Sequence, residues 1–138
     1  MEQKDVILAL IMCDGKLVLL HHNEIDKITA PMGKVEAGET HYDALDREMF
    51  EELGIYAVGL KKLLDFKINF KEIPKHIYVI KVLSFNGQPI NKEPHKHSKL
   101  LMLSYDEVLE YNERDLLDIA LLKCLELDLI KPLFTVPI

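Results

Sequence analysis

The sequence predicts an α/β (α+β) sandwich, in which a central mixed sheet packs between helices. Three observations carry this expectation. Apolar runs of strand length and stripes of helical spacing follow each other in the order ββ–α–βββ–αα. The 138 residues contain no linker, internal repeat or low-complexity segment, which fits one domain over 1–138 with one core. Hydrophobic residues make up 49% and charged residues 29%, the balance of a soluble globular chain.

Residues 6–12 form a continuous apolar run. Asp14-Gly15 is a turn signal, and 16–21 reads as a second strand that completes a hairpin. Residues 23–39 carry two glycines, a proline and several charges, and read as a long loop. Residues 40–53 read as a helix, with Thr40 as N-cap and Gly54 as the residue just past its end. Strands follow over 58–70, where Phe66, Ile68 and Phe70 alternate, and over 76–85. Asn86-Gly87-Gln88-Pro89 is a turn, and 100–103 is a short strand. Ser104 with Glu107 forms a capping-box pattern for a helix from Tyr105. Leu117, Ala120, Leu121, Cys124 and Leu125 make the apolar stripe of a helix over 114–127, read as core packing.

A net charge of −6, with Lys and Arg scattered, excludes a generic pull toward nucleic acid or an anionic membrane. A phosphate-rich substrate would therefore need local neutralisation, which a metal ion supplies. Cys13 and Cys124 lie in apolar runs without zinc-ligand spacing and are expected as buried free thiols. The first five residues, Met1 to Asp5, are polar and lack a signal-peptide pattern. The longest apolar run, 6–13, is too short to span a bilayer. A cytoplasmic monomer or homodimer without a membrane partner is expected.

The informative segment is 33–55, GKVEAGETHYDALDREMFEELGI. On a helix at about 100° per residue, Tyr42, Leu45, Met49 and Leu53 form one stripe, expected to face the core. Glu48, Glu51 and Glu52 share an adjoining strip. Glu48 and Glu52 repel at i,i+4, and all three acids sit where the helix dipole is negative. A solvated acidic face is the plain reading of such a helix end. The preceding loop argues otherwise, because Gly33 and Gly38 bracket a segment that can turn carbonyls and Glu39 toward the strip. Carboxylates with carbonyl oxygens suit Mg²⁺, and binding would relieve the repulsion.

The segment resembles the Nudix box, GX5EX7REUXEEXGU, with U a bulky apolar residue. Gly33, Glu39, Arg47, Glu48, Met49, Glu51, Glu52, Gly54 and Ile55 fill its nine fixed positions. The resemblance implies a Nudix-like α/β/α sandwich and a Mg²⁺-dependent hydrolase, with Mn²⁺ as a possible substitute. It implies Glu48, Glu51 and Glu52 as metal ligands, with Gly33 lending its carbonyl. Glu51 or Glu52 would be the base that activates water for in-line attack on phosphorus, and the residues do not separate the two. Arg47 would orient a box glutamate, and Glu39 would pair with Arg47 or lie near the metal. Lys34 resembles a lysine that contacts phosphate in MutT-like enzymes, with a solvated lysine as the alternative. The stretch Asn91-Lys92-Glu93-Pro94-His95-Lys96-His97 resembles one in which a loop acid assists the metal. Glu93 is that candidate, while His95 and His97 read as loop histidines in water, with a place flanking the phosphates or a titration near neutral pH as the competing reading.

The chain has no array like that of NADH or coenzyme A hydrolases, and no proline about 16 residues after the box. With the small size, this favours a MutT-like pyrophosphohydrolase that cuts a (d)NTP, a small-molecule nucleotide, to (d)NMP and pyrophosphate. The alternatives are a Nudix hydrolase of dinucleoside polyphosphates or nucleotide sugars such as ADP-ribose, and a non-catalytic nucleotide-binding module. Thr29, just before the box, is a substrate-side candidate. The chain has no Trp, which speaks against guanine-type recognition. Phe66, Phe70 and Tyr78 are the aromatics placed to stack a base, with core packing as the competing reading.

Overall fold

A computed structural model describes residues 4–135. The polar start read above lies outside them at Met1, Glu2 and Gln3. The described residues hold seven strands and three α-helices. They form two compact units, one from Met1–Ile11 and Pro31–Glu93, the other from Met12–Ala30 and Pro94–Ile138.

The first unit is built on β1 (Lys4–Cys13), whose last two residues run into the second unit. β1 pairs parallel with β6 (Ile73–Asn86) and antiparallel with β4 (Met32–Lys34). β6 pairs antiparallel with β5 (Tyr56–Phe70), so the sheet is mixed, as expected. Ile7, Leu8, Ala9, Leu10 and Ile11 are all fully buried. A strand covered on both faces needs no polar alternation, which explains the unbroken apolar run. β5 and β6 are joined at Lys71-Glu72, where both residues have positive φ (50° and 67°). A two-residue hairpin of this hand demands that conformation, at a cost of about 1 kcal/mol per non-glycine residue. The one helix of the unit, α1 (His41–Leu53), packs on β4 and β5.

In the second unit β2 (Lys16–His22) lies between β3 (Lys27–Thr29) and β7 (His97–Leu103), antiparallel to both. The hairpin from β1 turns at Asp14-Gly15, with φ of 52° and 75°, as the sequence predicts. Two expectations need correction. Residues 23–39 are not one loop, because β3 and β4 lie within them, each three residues long. The last helix, α3 (Ile119–Glu126), starts well after 114, since Asp118 caps it by accepting from the Leu121 N–H at 2.9 Å. Residues before it pair instead: the Ile28 N–H donates to the Leu116 carbonyl at 2.7 Å. α2 (Tyr105–Glu113) has the predicted Ser104/Glu107 capping box.

Cys13 and Cys124 are free and buried, and burial pushes the Cys124 thiol up to about 12. No helix of the described residues is long and apolar enough to cross a membrane.

His97 is buried rather than solvated, edge-on to His22 with ring centroids 5.5 Å apart. Burial first, then the charges of Lys96, His22 and His95, bring its pKa down from 6.5 to about 4. In the unfolded chain the same imidazole takes a proton near pH 6.5. Between those values the unfolded state binds more protons, so this residue's contribution to stability is lost as pH falls from about 6.5 toward 4. The urea midpoint is expected to drop over that window, and His97→Gln is expected to flatten the slope. An equal slope in the variant would refute the assignment.

Candidate active site

The ends of α1 fix where its glutamates fall. The Thr40 hydroxyl accepts from the Asp43 N–H, and Asp43 accepts from the Thr40 N–H, both at 3.1 Å. At the other end Gly54, at φ 69°, donates to the Phe50 carbonyl at 3.0 Å. Leu45, Met49 and Leu53 are fully buried, as expected. Tyr42 is not part of this core face: it is 43% exposed. The covered face is turned toward Ala44, Glu48 and Glu52, which are buried instead.

Arg47 organises the loop before the helix. Its Nε and Nη2 donate to the two Glu39 carboxylate oxygens at 2.8 and 3.0 Å, a bidentate fork. Nη1 donates to Glu48 at 2.8 Å and to Glu51 at 3.4 Å, and Nη2 also reaches the Lys34 carbonyl at 2.9 Å. Glu39 accepts in addition from the Glu36 N–H at 2.9 Å. The Arg47 bond, with that N–H, holds the Glu39 carboxyl at about 2, and the acids around Arg47 push its own pKa up. One guanidinium thus ties loop 34–39 to the helix and orients a carboxylate of the acidic strip.

Gly33 lies directly beneath Glu48. A Cβ on Gly33 would fall inside the Glu48 carboxyl group, so the close approach of strand and carboxylate requires glycine. Gly33→Ala is expected to displace Glu48 from Arg47 and to lower kcat at least about a hundredfold. Steady-state kinetics beside circular dichroism checks this, and a folded variant of wild-type activity would refute it.

The three strip glutamates differ in exposure. Glu52 is 1% exposed and Glu48 is buried, whereas the Glu51 side chain is 49% exposed. Glu93 lies on a loop pinned to the same end of α1: the Lys92 N–H donates to the Glu52 carbonyl and the Ile90 N–H to the Leu53 carbonyl, each at 3.0 Å. Among the described residues, no three His, Cys, Asp or Glu side chains stand as a ready-made cation cluster. The donor set still fits a hard divalent cation. All its members are oxygens, two of the carboxylates are buried, and the missing side chain at Gly33 leaves its backbone close to Glu48.

The substrate-side candidates come from both units. Lys34 is exposed. Thr29 belongs to the second unit, is buried, and donates its hydroxyl to the Leu20 carbonyl at 3.5 Å. Phe66 pairs with Ile77 and Tyr78 with Asp65, adjacent rungs of one ladder, so the two aromatics lie on opposite faces of the sheet. They cannot both stack on one base. Tyr78 sits against His41 and His76, with centroids 3.9 and 4.3 Å away, and two rings that close must take its two faces. Sequence reading missed His41, which nothing local connects to Tyr78. It also missed Lys75, whose Nζ lies 4.8 Å from the Phe70 centroid.

A model of the NUDIX domain matches residues 1–121. The chain belongs to the Nudix family. It is a Nudix hydrolase, and Nudix hydrolases generally use a divalent metal and act on small nucleotide substrates. A "CTP pyrophosphohydrolase" of Escherichia coli (strain K12) is 30% identical over 115 residues, covering 80% of this chain and 83% of that protein. A "Probable DHNTP pyrophosphohydrolase" of Lactococcus lactis subsp. cremoris (strain MG1363) is 30% identical over 107 residues. That match covers 78% of this chain but only 54% of the relative. The crystal structure of a MutT NUDIX hydrolase from Burkholderia pseudomallei superposes with TM-score 0.72 at 26% identity, over 77% of this chain and 86% of that one. The Nudix fold and MutT-like character expected from the sequence are thereby met.

Proposed function

We propose that this Nudix hydrolase is a single catalytic domain that cuts a (d)NTP to (d)NMP and pyrophosphate, with Mg²⁺ as its metal. The observation that carries the reading is Glu48 of the acidic strip, which lies against Gly33 and is bonded by Arg47, whose fork also grips Glu39. Glu48, Glu51 and Glu52 would hold the ion, with the Gly33 carbonyl and Glu93 as further oxygens. When bound, the ion supplies charge neutralisation on the phosphates and acidifies water. Arg47 keeps Glu48 in place without a large motion. Glu52 or Glu51 takes the proton of the attacking water, and the burial of Glu52 favours it as the group shielded from bulk solvent. Lys34 would offer its ammonium to a phosphate, whereas Phe66 lies on the sheet face opposite the one Gly33 turns to Glu48 and is not placed to stack on the base.

The E. coli relative's name supports a pyrimidine triphosphate, and the L. lactis relative's name favours DHNTP as a second reading. The absence of Trp agrees with a small base rather than a guanine. The test is kcat/KM with Mg²⁺ on CTP, dCTP, dGTP, 8-oxo-dGTP, DHNTP and ADP-ribose. CTP or dCTP is expected to lead. DHNTP ahead of both would favour the second reading, and turnover of ADP-ribose alone would overturn the triphosphate assignment.

A further inference from the structure

We propose that the second unit carries a binding pocket for a small organic anion, a phosphate or carboxylate group on a compact apolar or aromatic body. The pocket has a volume of about 260 Å³ and shares no residue with the carboxylate site of the first unit. Its floor is one face of the small sheet. Ile28, His21 and Lys99 form one rung across β3, β2 and β7, and Leu101 lies two residues further along the same face. Leu116 and Tyr111 complete an apolar lining.

Three cations meet on this lining, Lys27, Lys99 and Arg114, against one carboxylate, Asp26. That reverses the sign of a chain whose net charge is −6. Two of the basic groups are already engaged. His21 bonds Asp26 through Nε2 at 2.7 Å and the Ser98 hydroxyl through Nδ1 at 2.6 Å. Lys27 bonds the Asp115 carbonyl and lies 3.8 Å from its carboxylate. Lys99 and Arg114 enter none of the ion pairs among the described residues. The Arg114 guanidinium lies 5.6 Å from the Tyr111 centroid. Two uncompensated donors at the rim of an apolar floor suit a ligand with one anionic end and one dry end. The volume lies just below the usual range for small-molecule sites, about 300–1,000 Å³, so a compact ligand fits and a nucleoside triphosphate does not.

The test uses the whole chain, methyl-labelled at Ile and Leu, titrated by NMR with phenyl phosphate in the absence of divalent metal. Benzoate and inorganic phosphate are the other probes. Saturable shifts of the Ile28, Leu101 and Leu116 methyls are expected. Lys99→Ala and Arg114→Ala should each weaken binding about tenfold or more, while Lys99→Arg and the active-site variant Glu52→Gln leave it intact. Phenyl phosphate ahead of benzoate would assign the anion as a phosphate, and the reverse order as a carboxylate. Inorganic phosphate binding as tightly as phenyl phosphate would overturn the role of the apolar floor. Absent shifts at these methyls, or shifts that survive both alanine variants unchanged, would overturn the pocket itself.

Discussion

Glu52→Gln is expected to lower kcat on a triphosphate substrate by about three orders of magnitude while the chain stays folded. The substitution keeps size and shape but removes the negative charge from the most buried carboxylate of the acidic strip. That carboxylate lies one turn from Glu48, and two anions at that spacing on a helix repel each other. Arg47 offsets the charge of Glu48, and a divalent cation at the strip would relieve the remaining repulsion. Loss of a general base alone costs about 10²–10⁴, and loss of a metal ligand acts in the same direction. Glu51→Gln should cost less, because the Glu51 side chain is half exposed and only 3.4 Å from Arg47 at its nearest. Rapid-quench kinetics on both variants, with circular dichroism as the folding control, reads the difference. A Glu52→Gln enzyme within tenfold of wild type would refute the role.

Arg47→Ala is expected to do two kinds of damage. It deletes the fork to Glu39, the bond to Glu48 and the bond to the Lys34 carbonyl. Glu48 is buried and would lose its cationic partner. With a discount for the partial exposure of Arg47, a loss of about 2 kcal/mol is expected, with kcat/KM down about a hundredfold as Glu48 loses its orientation. Arg47→Lys should recover little, since an ammonium cannot present two parallel N–H bonds to Glu39 while also reaching Glu48. Full rescue by lysine would show that charge alone, not the fork, is what the site needs.

What the sequence made legible was local. Asp14-Gly15 announces its turn because both residues tolerate positive φ, and Thr40, Ser104 and Gly54 mark helix ends by their own backbone chemistry. The nine box positions were legible through fixed spacing. What stayed hidden depends on distant partners. β3 and β4 are three residues each and exist only because Ile28 pairs with His21 and Gly33 with Ile7. The separation of Phe66 from Tyr78 follows from a turn placed at Lys71-Glu72, two residues with no turn signature. With 71–75 unassigned, the parity of the two strands was open, and with it the face each aromatic occupies. The sequence names Glu39 as a partner of Arg47, with a place near the metal as the alternative, and the structure shows the pair. That Arg47 also grips the Lys34 carbonyl needs the fold.

The most direct test is product analysis of a CTP digest with Mg²⁺, for the wild type and Glu52→Gln side by side, with a chelator control. CMP and pyrophosphate formed only by the wild type with metal is the predicted result. CDP and inorganic phosphate as products, or equal turnover by Glu52→Gln, would contradict the assignment of pyrophosphohydrolase chemistry to the acidic strip of α1.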